Sequence, residues 1–231
     1  MSYKSFATLL IFLQLAAKLQ AGENWPEFRG PGQQGHSDST GLPVKWSETE
    51  NIRFKTAIPG EGWSSPVVWG RQVWMTTATG NGRSLRALCV DRDTGKILHD
   101  VEVFRVERPE QKNSFNSYAS PTPVLERGRV YVSFGTNGSA CLDTRSGRIL
   151  WKNQELRLDH KEGAGSSPII YGNYFILHCD GMDVQYVAGL DKNTGRLAWK
   201  ALRSYNLPRC RETCERPTRR PRSSASTRVT R

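Results

Sequence analysis

One phrase recurs three times in this chain, and a repeat constrains the fold more than any other feature a sequence can carry. The copies are "CVDRDTGKILHD" (residues 89–100), "CLDTRSGRILWK" (141–152) and "LDKNTGRLAWK" (190–200). Aligned on their glycines, each places an aspartate first (Asp91, Asp143, Asp191) and a hydroxyl three residues on (Thr94, Ser146, Thr194). Glycine follows (Gly95, Gly147, Gly195), and four residues later comes a ring (His99, Trp151, Trp199). Successive glycines are 52 and 48 residues apart. Asp with Thr or Ser closes a turn through side-chain bonds to backbone N–H groups. Glycine supplies the positive φ that a bulged hairpin needs. The ring then stands on the outermost strand of its unit, where it can cover the gap to the next. Two residues before each aspartate stands a small residue (Cys89, Cys141, Gly189), which fits a place of close packing between units.

The agreement extends beyond the phrase. Each copy follows a Ser-Pro start, at "SSPVVW" from Ser64, "ASPTPV" from Ala119 and "SSPIIY" from Ser166. Proline is tolerated at the first residue of a strand. Asn81-Gly82, Asn137-Gly138 and Asp180-Gly181 stand between apolar runs, and such pairs favour type I′ hairpin turns. No helical period intervenes. Each unit therefore reads as four short antiparallel strands.

The pattern small-x-Asp-x-x-Thr-Gly-x-x-x-Trp resembles the blade signature of PQQ-like (quinoprotein-type) β-propellers over about residues 44–200. "WPEFRGPGQQG" at 25–35 resembles the start of many secreted PQQ-like proteins of planctomycete bacteria. The resemblance implies an all-β fold: a partial propeller of about three four-stranded blades. "NIRFK" (51–55) is an orphan N-terminal outer strand, with Phe54 at the ring position. Two functional branches follow from it. One is non-catalytic and macromolecule-binding, as in the BamB type of outer-membrane assembly lipoprotein. The other oxidises alcohols or sugars with PQQ and Ca²⁺, the cation being held by Glu, Asn and Asp on the propeller axis.

Charge is unevenly distributed. The net charge is +11, yet Arg203–Arg231 alone hold nine arginines and two glutamates. Residues 22–202 are close to neutral, which argues against a nucleic-acid surface on the folded body. "MSYKSFATLLIFLQLAAKLQA" (1–21) has the plan of a secretory signal peptide, a cation before a short apolar run and a small residue at the end. The expected organisation is a signal peptide at 1–21, an N-terminal extension at 22–43, blades at 44–202 and a disordered Arg-rich tail at 203–231. The tail begins where another Ser-Pro strand is due. Its wealth of Arg, Pro, Ser and Thr, without Lys, is what a shifted reading frame in a GC-rich gene produces. The chain is then expected to be the truncated first half of a longer protein. A genuine basic arm is the other reading.

Candidate chemistry is sparse. Polar residues suited to a site at the rim are Glu61, Asn113, Asn116, Asp159, His160, Lys161 and Glu162, and none stands in a matching family motif. His160 and His178 lack partners at metal-ligand spacing, and His99 reads as a packing substitute for tryptophan. Cys89 and Cys141 read as small buried residues, Cys179 lies on a strand, and Cys210 and Cys214 lie in the tail. No catalytic, cofactor-binding or metal residue is assigned. The expectation is an extracytoplasmic, non-catalytic propeller scaffold without cofactor and without a transmembrane segment, binding protein or another macromolecule. The alternative is the N-terminal fragment of a PQQ-dependent dehydrogenase.

Overall fold

The computed structural model describes residues 24–203. The segment expected to be a signal peptide, Cys210, Cys214 and nearly all of the Arg-rich tail lie outside the described residues. Twelve strands form three four-stranded antiparallel sheets, each ordered as in the sequence. The first holds β1 (Val67–Trp69), β2 (Gln72–Thr79), β3 (Ser84–Asp91) and β4 (Ile97–Arg105). The second holds β5 (Val124–Glu126), β6 (Arg129–Ser133), β7 (Ser139–Asp143) and β8 (Ile149–Asn153). β9 (Ile169–Tyr171), β10 (Tyr174–Asp180), β11 (Gln185–Asp191) and β12 (Leu197–Leu202) form the third. The only helical structure among the described residues is two short 3-10 turns, Pro31–Gln33 and Gly135–Asn137. The expected partial propeller is what the chain forms.

Alternating side chains of neighbouring sheets interdigitate, so the core consists of two inter-sheet layers. Trp74, Leu85, Ala87 and Cys89 of the first sheet meet Leu125, Val130, Val132 and Leu142 of the second. Tyr131, Cys141 and Trp151 of the second meet Phe175, Leu177, Tyr186 and Leu190 of the third. Neither layer exists without both of its sheets, which is why a single unit of this kind cannot bury its own faces.

Four expectations change in detail. The second unit starts at Thr122-Pro123 rather than Ser120-Pro121, because Pro66, Pro123 and Pro168 are the residues that immediately precede β1, β5 and β9. Of the three expected type I′ pairs, only Asn81-Gly82 has positive φ at both residues (55° and 84°), and it sits in a four-residue loop that begins at Gly80. Gly135–Asn137 forms a 3-10 turn instead, and Gly181 does not take positive φ. Residues 51–55 make no strand ladder. They run extended, placed by Phe54. Finally, Cys89, Cys141 and Gly189 are small because of their own sheet: they pair with His99, Trp151 and Trp199 on the adjacent strand. A methyl group on Gly189 would run into the Trp199 indole.

Trp151 is 8% exposed and packs between two sheets, while Trp199 is only half-buried, with no sheet beyond it among the described residues. Replacing Trp151 with alanine is expected to cost about 3–5 kcal/mol, the range for a large core aromatic. Trp199→Ala should cost clearly less. Chemical denaturation of the two variants checks the order, and equal losses would contradict it.

Candidate functional site

The repeated phrase folds the same way three times. Asp91 Oδ1 accepts from Asp93 N (3.0 Å), Thr94 N (2.8 Å) and Thr94 Oγ1 (2.9 Å). Asp143 Oδ1 accepts from Arg145 N, Ser146 N and Ser146 Oγ at 3.1, 2.8 and 2.7 Å. Asp191 Oδ1 does so from Asn193 N, Thr194 N and Thr194 Oγ1 at 3.0, 2.9 and 2.9 Å. The glycines close the turns with φ of 73°, 72° and 72°. A bulge follows at the same place in every copy, after Cys89, Cys141 and Gly189.

Each turn is also a seat. The ring of one unit lies on the glycine of the next: Phe54 on Gly95, His99 on Gly147 and Trp151 on Gly195. A methyl group on Gly195 would come within 2.5 Å of the Trp151 indole. Only glycine leaves room there, so the residue that permits the turn also permits the docking. The Trp151 indole N–H is satisfied by Lys192 O at 2.9 Å, and Asn153 Nδ2 donates to Gly195 O at 2.9 Å. Where His99 replaces tryptophan, other groups make up the bond. His99 stacks on Trp74, centroids 5.6 Å apart. Gln72 Nε2 donates to Thr144 O at 2.7 Å, and Gln72 Oε1 accepts from Trp74 Nε1 at 3.3 Å.

A second relay runs where the strands begin. Ser65 N donates to Thr122 Oγ1, and Thr122 N donates to Ser167 Oγ, both at 3.0 Å. These three residues, with Phe28, Trp63, Asn116, Ser120 and Gly165, line an open groove of about 380 Å³. The N-terminal extension reaches this rim. Trp25 pairs with Val68 of β1 through two backbone bonds, and Pro26 O accepts from Leu125 N of β5 at 2.7 Å. Phe28 and Trp63 stay 49% and 59% exposed. Sequence reasoning missed both aromatics and the hydroxyl ladder. The Ser/Thr-Pro recurrence was a usable signal for the ladder, but nothing local marks Phe28 or Trp63 as groove residues.

Four of the seven candidate polar residues, Asn113, Asn116, His160 and Glu162, serve as ties between loops. Asn113 Nδ2 donates to Glu162 Oε2 at 2.6 Å, and Asn116 Nδ2 donates to Glu162 O at 2.7 Å. Asn116 Oδ1 accepts from Ser117 N and from Ser120 Oγ. His160 Nε2 accepts from Thr136 N at 3.3 Å, and burial holds its pKa below the ordinary imidazole value despite Asp159 and Asp183 nearby. Glu61 takes part through its backbone, bridged to Ala78, while Asp159 and Lys161 are exposed. His178 lies 3.3 Å from Asp180 on the outward face of the third sheet. Cys89, Cys141 and Cys179 are buried free thiols. Burial pushes the first two up to about 12, far from reactive thiolates.

Ca²⁺ takes six to eight oxygen ligands, roughly, with carboxylates prominent among them. Among the described residues no group of three or more His, Cys, Asp or Glu side chains could hold a metal ion. The rim amides are committed to the bonds just given. The described residues do not fit a PQQ–Ca²⁺ centre.

Stacked four-stranded sheets, ring-on-glycine seats and a hydroxyl ladder define a propeller built from PQQ-like blades. The sequence profile of the family described as outer membrane protein assembly factor BamB matches residues 86–211, and the chain belongs to this PQQ-like repeat family. No match is found among curated proteins. Among solved structures, the quinohemoprotein alcohol dehydrogenase from Comamonas testosteroni is similar over 82% of this chain and 28% of its own, at 14% identity and a TM-score of 0.56. BamB from Moraxella catarrhalis is similar over 62% and 38%, at 17% identity and a TM-score of 0.42. At such identities the likeness concerns the fold alone. The chain spans roughly a quarter to two-fifths of the length of these proteins.

The turns make a prediction about pH. The Ser146 and Thr194 hydroxyls and the local N–H groups hold Asp143 and Asp191 below their ordinary value. At Asp91 desolvation opposes the shift and is outweighed by Thr94, the backbone and Arg71. A depressed carboxylate contributes stability that is present at neutral pH and lost as pH falls through its folded value. The denaturation midpoint is therefore expected to drop as pH falls below about 4. Asp143→Asn, which keeps an acceptor oxygen but no charge, should flatten that drop. An unchanged slope in urea titrations from neutral to acid would count against it.

Proposed function

We propose that this chain supplies the blades of an extracytoplasmic, non-catalytic PQQ-like propeller that binds protein. The carrying observation is the rim. Asn113, Asn116 and Glu162 are spent on loop-to-loop bonds, while Phe28 and Trp63 remain exposed around an open groove. Exposed aromatics set among committed polar groups suit protein recognition, where tryptophan and other large rings act as anchors. A third large ring, Phe115, stands 78% exposed on the loop that carries Asn113 and Asn116.

Other observations support the same reading. The matching family is described as an outer membrane assembly factor, which favours a protein partner and a place outside the cytoplasm. The leader-like first 21 residues agree with export. The near-neutral body argues against nucleic acid as the partner. No helix among the described residues is long and apolar enough to cross a membrane. The reading carries no cofactor.

Two measurements test it. The purified chain, supplied with PQQ and Ca²⁺, is expected to show no dye-linked oxidation of alcohols or aldoses above background. A photoreactive amino acid placed at position 63 is expected to give covalent protein adducts in the native host, and Trp63→Ala should weaken binding of the partner so identified by about tenfold or more. Turnover with PQQ and Ca²⁺ would instead make the chain part of a dehydrogenase.

A further inference from the structure

The loop that braces the groove is itself held by one titratable ring. We propose that His160 is a pH latch on the groove. Neutral, it locks the loop at 159–165 in place; on mild acidification it takes up a proton, leaves its seat and loosens the groove wall at Asn116. The latch rests on the protein-binding reading only for what the groove receives.

The geometry fixes the protonation state of the closed loop. His160 Nε2 accepts from the backbone N–H of the buried Thr136 at 3.3 Å, so the neutral ring carries its proton on Nδ1. The ring lies against Gly135, whose φ is 59°, and a methyl group there would come within 2.5 Å of Nε2. Protonation puts a second N–H on Nε2, and two donors then face each other. The Thr136 N–H loses its acceptor at a buried place, which is unfavourable. The ring is half-buried and borders two cavities of about 20 Å³, each with room for a single water. A proton can reach it without the core opening.

What the ring holds in place extends to the groove. Leu156 and Leu158 anchor the incoming chain in the layer between the second and third sheets. Asp159 ties it to the turn before β11, its N–H donating to Asp183 Oδ1 and its carbonyl accepting from Met182 N, both at 2.8 Å. His160 follows, and two residues later Glu162 receives the Asn113 and Asn116 amides. Ala164 O also accepts from Asn116 Nδ2, at 3.2 Å. Asn116 and Gly165 line the groove, and Asn116 Oδ1 accepts from the N–H of the buried Ser117 at 2.8 Å. Release of His160 frees the loop that positions this wall.

Asp159 on the same loop and Asp183 on the turn before β11 favour the proton, but burial outweighs them and holds His160 below its ordinary value of 6.5. Glu110 and Lys112, from the loop before β5, border one cavity, and His178 and Cys179 of β10 border the other. Arg157 donates to Thr136 O at 3.3 Å. Lys161 is exposed, and Glu162 is turned to Asn113. The closed loop therefore binds the proton less tightly than the released loop. Closure is fully present above the ordinary imidazole value of about 6.5 and is lost as pH falls through the lower value of the closed loop.

Amide hydrogen exchange of the full chain between pH 7.5 and about 5.5, corrected for the intrinsic rate, tests this; over that range the turn aspartates stay ionised. Protection of the Thr136 and Ser117 amides is expected to fall together, by up to about tenfold per pH unit below 6.5, while the β10–β11 ladder stays protected. His160→Gln, which keeps a side-chain acceptor and cannot take a charge, should abolish the pH dependence at both amides. His160→Ala should leave both poorly protected at every pH. Flat protection in the parent chain would overturn the proposal, as would a pH dependence that survives His160→Gln. It would equally fail if Thr136 opened without Ser117, because the latch would then not reach the groove. No partner is needed for the measurement, so the latch and the protein-binding reading fail separately.

Discussion

An aromatic ring resting on a residue without a Cβ sets the spacing of this structure. The first and second sheets each end in a strand whose ring, His99 or Trp151, projects past its own edge and lands on the glycine of the next Asp-x-x-Ser/Thr-Gly turn. The turn must be rigid to be a seat, and the aspartate makes it rigid by accepting three local bonds. One glycine thus answers two demands, a positive φ and an absent side chain. Once the seat is fixed, the apolar faces of neighbouring sheets stand close enough to interdigitate, and the two core layers follow.

Variation along the relay shows which part of the interaction is dispensable. At the first junction histidine replaces tryptophan and cannot reach the carbonyl that an indole would. The Gln72 amide takes over that bond, and its oxygen satisfies the buried Trp74 N–H as well. The docking of a ring is kept while the hydrogen bond moves to another residue. Asn153 and Thr56, each two residues after a ring, both donate to the glycine carbonyl of the neighbouring turn. Valine and alanine occupy that place at Val101 and Ala201 and cannot.

Polar groups at the rim are arranged for construction. Asn113, Asn116 and Glu162 tie the loop before the second sheet to the loop before the third. The N-terminal extension adds a backbone pairing at Trp25 to the inner edge of β1 and reaches β5 through Pro26. Unpaired strand edges are where a sheet protein is vulnerable to unwanted pairing, and part of the inner rim is covered in this way. What remains open there is aromatic, in Phe28 and Trp63 around the groove.

The repeats, their strand count and the fold class were legible in the sequence. Asp, Thr, Gly and Trp each act over a few residues, and local chemistry recurs wherever the local sequence does. The turn geometry of Asp91, Asp143 and Asp191 and the burial of Cys89 and Cys141 needed nothing from afar. Phe54 could be matched to the ring position because it sits before a lysine, as Trp151 and Trp199 do. Tertiary structure alone decided what lies across the gaps. That Ser65, Thr122 and Ser167 form a ladder depends on three sheets being stacked in register. That Phe28 and Trp63 share a groove depends on the N-terminal segment crossing the rim. That Asn116 is a brace follows from a contact 46 residues away in sequence. A sequence shows which groups a residue carries, and only the packed chain shows which of those groups are already spent.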